Sequence, residues 1–208
     1  MKEFFRYDGP LTRFLNTLAD LIILSIVWLV CSLPIVTMGA STVALYTITM
    51  HYGEDDTVLI RRFWKAFREN LKKGSIAGVV FLFIGVVLFF DFRIIAGMSQ
   101  NADMFKTAAW IVTVLCFVMY IYTFPLLASF EQTLIQTMKN ALLIGLSNPP
   151  ETILLLTVHI LPVVAAVVNL EMFVSYALLF FSFMGAGVIS LISTWILKRV
   201  LAKYQRAE

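Results

Sequence analysis

The chain has 208 residues, 60% of them hydrophobic and 14% charged, and a mean hydropathy of +0.88. Soluble domains carry about a quarter charged residues, so this composition argues against a soluble fold. The formal net charge of +3 does not point to nucleic acid, because the basic residues flank apolar runs instead of forming one soluble face.

Apolar runs recur at residues 17–36, 75–97, 107–130, 152–170 and 172–197. Each is long enough for a bilayer core about 30 Å thick. The ten-residue alternation of an outer-membrane barrel is absent. The predicted fold is all-α, a single polytopic transmembrane bundle over residues 1–208. Cys31 and Cys116 lie inside apolar runs and read as small buried hydrophobes, not as a disulfide framework. The N-terminal "MKEFFRYDGPLTRF" leads into a run that is long for a signal-peptide core, so the first run is expected to remain in the chain.

Between the first two runs, "ASTVALYTITMHY" at residues 40–52 is apolar but short, about 20 Å as a helix. Charge decides how to read it. Lys2, Arg6 and Arg13 precede the first run, and Arg61, Arg62, Lys65, Arg68, Lys72 and Lys73 follow the short one. The positive-inside rule places both groups in the cytoplasm, which requires two crossings between them. "SLPIVTMGAST" then forms the tip of a tight helical hairpin, with Pro34 removing a backbone donor and Gly39 permitting the turn. Six passages with both termini inside leave only Arg93 and Lys106 outside among the Lys and Arg residues.

In residues 58–73 the apolar Ile60, Phe63, Trp64, Phe67 and Leu71 recur at helical spacing. An amphipathic helix lying along the cytoplasmic interface is expected, with Arg61, Arg62, Trp64, Lys65, Phe67 and Arg68 as the candidate partner-binding residues. A second such helix is expected at "EQTLIQTMKNALLIGLSN", so that each half reads as a span, a proline (Pro34 or Pro125), an interfacial helix and another span.

The segments "FFRYDGPLTRFLNTLADLIILSIVWLVCSLPIVTMGASTVALY", "FWKAFRENLKKG" and "FPLLASFEQTLIQTMKNALLIGL" together resemble the YesL family of small bacterial membrane proteins, whose biochemical function is unassigned. The element formed by Pro34 and residues 39–42 is the most specific part. The resemblance implies a Gram-positive plasma membrane and a setting beside carbohydrate ABC importers, glycan-degrading enzymes and two-component regulators. It implies no catalytic residues.

No phosphate-binding loop, zinc motif or nucleophile elbow is present, and no catalytic residue, metal or cofactor is expected. His159 is either a proton relay or a neutral interhelical hydrogen-bonder. Asn16 and Asp20 share a helix face with Arg13. Asp20 reads as an ion-pair partner of Arg13, Arg61 or Arg62, with a coupling-ion role as the alternative. Asp91 interrupts "VVLFFDFRII". It is either a polar anchor among aromatics, suited to a sugar or a partner helix, or an outer-interface charge in a phenylalanine belt. Small residues at Gly74 and Gly78, and at Ser182, Ala186, Ser190 and Thr194, mark close helix contacts.

The functional expectation is an accessory subunit that binds ABC importer permease subunits. A stand-alone solute transporter and a non-transport scaffold or regulator are the rivals. In intact cells, single cysteines at Thr57 and Gln205 are expected to label only from the cytoplasm, and one at Asn101 only from outside. Labelling of Thr57 and Gln205 from opposite faces would contradict the charge-derived topology.

Overall fold

The computed structural model describes residues 10–53, 58–98, 102–168 and 184–205, and all its regular elements there are helical. Helix α1 (Pro10–Ser32) opens on a proline, whose missing N–H costs nothing in a first turn. It stops before Pro34, which forces Leu33 out of the helical region. Pro34 is extended, with φ −74° and ψ 114°, and leads into a single 3₁₀ turn, Ile35–Thr37. The Thr37 hydroxyl donates to the Cys31 carbonyl at 2.7 Å, satisfying one of the acceptors left open at the end of α1.

Helix α2 (Met38–Met50) then runs back alongside α1. Trp28 Nε1 donates to Thr42 Oγ1 at 3.2 Å, the Ser32 and Ser41 hydroxyls pair at 2.6 Å, and Tyr52 donates to Asp20 at 2.7 Å. Ten of its thirteen residues are buried, the pattern of a helix surrounded by others. Gly53, in the turn after it, takes φ +86°.

Helix α3 (Leu59–Ala96) is one continuous element of 38 residues, about 57 Å long. This corrects the expectation of a separate interfacial helix at residues 58–73: the basic amphipathic stretch and the following apolar run are one rod. The only weak helix former at the join, Gly74, is clamped against α2. A Cβ on Gly74 would lie 2.6 Å from Ala40 Cα, and one on Gly39 would lie 2.8 Å from Gly78 N and 2.9 Å from Gly78 Cα. Gly39 therefore serves backbone contact inside α2 and does not make the turn, which residues 33–37 form without it.

The seam also sets how deep the hairpin reaches. Its tip sits level with Gly78, and residues 79–96 carry α3 about 27 Å further. Helix α4 (Ala102–Ser129) runs antiparallel to α3, with Trp110 against Phe92 and Tyr120 and Phe124 against Phe81. Pro125 lies inside α4, one turn from its end. Helix α5 (Leu134–Ser147) starts with a capping box between Thr133 and Gln136 and folds back on α4, where Gly145 leaves room for Val118 and Tyr122.

Helix α6 (Pro149–Val168) follows Asn148 after a sharp break: Leu134–Ser147 and Pro149–Leu161 meet at 108°. Lys203 holds this corner by donating to Asn148 Oδ1 at 3.1 Å and to Glu151 Oε1 at 2.7 Å. Inside it, Thr152 bonds the Gly145 carbonyl and the Tyr122 hydroxyl. Helix α7 (Ala186–Gln205) contacts α1, α2 and α6 in turn along its length. Gly187 N–H donates to Ser25 of α1, Thr194 pairs with Thr49 of α2 at 2.9 Å, and Lys203 reaches α6. The small residues Ser190 and Thr194 thus face inward; Ser182 lies outside the described residues.

Among the described residues, three helices are long and apolar enough to cross a membrane, at Leu11–Ser32, Leu59–Ala96 and Asp103–Ser129. The bent pair at Asn148 makes four if it is one span. This is fewer than the six expected passages. The second hairpin arm has only thirteen residues, and half of the fifth predicted run lies outside the described residues. The expected repeat is not found as a span, proline, interfacial helix and span, because residues 59–73 are part of the α3 rod; an order of long helix, break, short helix and long helix does recur, but α2 is seated on α3 whereas α5 is seated on α4.

Overpacking a backbone-to-backbone contact costs about 1–3 kcal/mol or more. Gly39→Ala and Gly74→Ala are therefore expected to lower the thermal stability of the detergent-purified protein. Gly85→Ala is not, since a Cβ there meets nothing within 4 Å. Equal melting temperatures for all three variants would contradict the seam.

Candidate functional site

Residues 59–73 of α3 present three faces. Phe63, Ala66, Phe67 and Gly74 are buried against Leu24, Ala40, Ala44 and Ile48. Phe67 is only 8% exposed, so it belongs to this chain's own core. This corrects its expected role as an anchor offered to a partner. The sequence pattern could not separate it from Trp64, because both sit on the apolar side of the same wheel.

The outward face carries Arg61, Trp64, Arg68 and Lys72. Trp64 is 47% exposed and stacks on Phe67 at 5.6 Å, while the Arg68 guanidinium lies 5.2 Å from its ring centroid. The indole is thereby held between a core ring and a cation, which fixes its orientation.

The third face meets α2 across a polar cleft of about 440 Å³ formed with Thr47 and His51, where Arg62, Lys65 and Glu69 line the α3 side. Arg62 donates to the His51 carbonyl at 3.2 Å. The six candidate partner-binding residues therefore divide: Arg61, Trp64 and Arg68 are outward, Arg62 and Lys65 border the cleft, and Phe67 is core.

The expected intramembrane polar residues do not converge. The partner of Asp20 is the Tyr52 hydroxyl, not Arg13, Arg61 or Arg62. Tyr52 is brought there by the hairpin, which folds α2 back along α1, and lies too far along the chain for helical spacing to reveal it. Asn16 is exposed. His159 Nδ1 bonds the Leu155 carbonyl at 2.9 Å within its own helix, so the hydrogen bond is not interhelical.

Asp91 is exposed near the end of α3. Arg93 lies over Phe89 at 5.6 Å, and Phe92 packs on Trp110, as in an aromatic belt at an interface. Among the described residues no three His, Cys, Asp or Glu side chains come together as a metal site.

Sequence reasoning missed one further feature. An apolar groove of about 320 Å³ opens beside the hairpin tip, between α2, α3 and α4. Gly39, Gly78 and Gly85 give it a bare backbone floor, and Phe81, Phe117 and Tyr120 form an aromatic wall. Phe81 meets Tyr120 edge-on at 5.4 Å, and Phe117 lies parallel to Tyr120 at 6.1 Å. Its signal in the sequence is the seven-residue step from Gly78 to Gly85, which leaves two gaps, two turns apart, on the face of α3 that also carries Phe81 and Leu82.

The long apolar helices, with their outward Leu, Ile, Val and Phe side chains, define an all-α helical membrane protein. A family model described as "Protein of unknown function, DUF624" matches residues 21–92. The chain is 25% identical over 189 residues to "Uncharacterized protein YesL" of Bacillus subtilis (strain 168), covering 88% of this chain and 86% of that protein. It is 24% identical over 157 residues to "Uncharacterized protein YteU" of the same organism, covering 73% and 71%. Together these matches support assignment to the YesL family at low identity. No solved structure matches it, and nothing in these matches indicates enzymatic activity.

The Asp20–Tyr52 contact ties α1 to the end of α2 and has a pH signature. Burial, and then the hydrogen bond to Asp20, push the Tyr52 phenol above its ordinary value of 10.0. A raised folded value means that its contribution is present below pH 10 and is lost as pH rises through the higher folded value. Tyr52→Phe should therefore flatten the alkaline limb of the stability curve. A double-mutant cycle with Asp20→Asn should return a coupling of about 1 kcal/mol. A cycle that closes at zero would remove the contact.

Proposed function

We propose that this chain is a non-enzymatic interaction subunit of the bacterial plasma membrane, with both termini cytoplasmic, that holds a partner through the outward face of α3. The observation that carries the reading is the patch of Arg61, Trp64 and Arg68, in which an exposed indole is fixed between Phe67 and a guanidinium. Tryptophan and arginine dominate binding energy at protein interfaces, and a side chain held in place before binding loses little entropy when the partner arrives.

The partner we assign is the permease of a carbohydrate ABC importer. That assignment rests on the setting implied by the YesL-family resemblance, and the patch supplies the chemistry for docking. The rival readings are a stand-alone solute transporter and a membrane scaffold or regulator. Against coupled transport stand the separate hydrogen bonds of Asp20, to Tyr52, and of His159, to its own helix, which do not converge on one site.

Affinity purification from native membranes in mild detergent tests the proposal. Permease subunits should co-purify in fixed ratio. Trp64→Ala, or Arg61 and Arg68 both changed to Lys, should release them while this chain stays in the membrane, because lysine lacks the planar fork of arginine. Retention of the permease by both variants, or solute movement by the purified protein alone in liposomes, would favour a rival.

A further inference from the structure

We infer that the groove beside the hairpin tip is a lipid site, which takes one acyl chain of a bilayer glycerolipid and offers the Tyr120 hydroxyl to its ester oxygen. The groove lies along the apolar part of α3 and α4. Its outer neighbours Val79, Leu82, Phe83, Val86, Val112 and Leu115 are exposed hydrophobic side chains, so it is continuous with the surface that the bilayer covers. Hydrocarbon therefore fills it more readily than water, which needs two to four polar partners in a cavity.

Three features make it more than a gap between lipid-facing side chains. The floor is glycine backbone, and a Cβ on Gly85 would meet nothing within 4 Å, so a chain can lie directly on α3. The wall is preorganised, because Tyr120 is held edge-on by Phe81 and Phe124 at 5.4 and 5.2 Å. The polar groups on the lining are unequal. Thr42 and Thr113 bond carbonyls of their own helices at 2.8 Å, whereas the hydroxyl of the half-buried Tyr120 has no hydrogen-bond partner among the described residues. A phenol left unpaired in hydrocarbon is costly. An acyl ester supplies both the missing acceptor and the chain that fits the groove, which a plain alkane or an ordered water does not.

The test uses the whole chain in nanodiscs of phosphatidylethanolamine and phosphatidylglycerol that contain a trace of phosphatidylglycerol with a diazirine in one acyl chain. After illumination, peptide mapping should concentrate cross-links on Cys116, Phe117 and Tyr120. Gly85→Phe and the smaller Gly85→Leu fill the groove from its open side. Both should abolish those cross-links while sparing the ones at Phe89 and Phe90 and the melting temperature. Tyr120→Phe keeps the ring and should reduce the lipid retained through purification. Cross-links spread evenly over the outward residues, or unchanged in both Gly85 variants, would show ordinary boundary lipid and overturn the site. Unchanged retention in Tyr120→Phe would overturn the ester contact.

Discussion

Two helix backbones touch at Gly39 and Ala40 on α2 and at Gly74 and Gly78 on α3, and the rest of the bundle is arranged around that contact. Side chains are missing on both sides, so a single methyl at Gly39 or Gly74 would meet backbone atoms inside 3.0 Å. Backbone cannot swing aside as a flexible side chain can. In a lipid environment, where hydrophobic burial gives no net drive between helices, such close approach is a main source of helix association.

From this contact the architecture follows in order. Seated on α3, α2 becomes the hub: α1 folds against it through Ser32, Trp28 and Asp20, α4 packs on Val43 and Tyr46, and α7 contacts it at Thr49. The register leaves the hairpin level with the basic half of α3 and its tip near the start of the apolar half. The hairpin therefore packs on Phe63 and Phe67, keeps Arg62, Lys65 and Glu69 beside it in the polar cleft, and leaves Arg61, Arg68 and Lys72 on the outward side. Beyond the tip α3 and α4 continue, among the described residues, without a third helix against them, and the groove opens in that corner. The proposed docking face and the proposed lipid groove are thus two consequences of one register.

Composition and periodicity made the helical membrane class legible, together with the hairpin, the break at Pro34 and the small-residue face at Gly74 and Gly78. They could not say what that face would meet, because Gly39 reads in the sequence as a turn residue and its contact with α3 exists only once α2 folds back. The same limit explains the other differences. Phe67 and Trp64 are equivalent on a wheel and become core and surface only through the position of α2. Asp20 finds a tyrosine across a turn, whereas a wheel shows only its own-helix neighbours. The basic and apolar parts of α3 differ so strongly in composition that they read as two elements. Helix continuity depends on local backbone preference, and Lys72, Lys73 and Gly74 contain no strong breaker.

The central claim is the depth of the hairpin relative to α3, and a single distance tests it. Spin labels at Leu33, 74% exposed at the tip, and at Met98, 41% exposed just beyond the end of α3, can be measured by pulsed electron resonance in nanodiscs. A tip held level with Gly78 places about 30 Å of helix rise between the labelled backbones. A hairpin that crosses fully beside α3 would bring them to within about 10 Å, the spacing of packed helices, and that result would contradict the account.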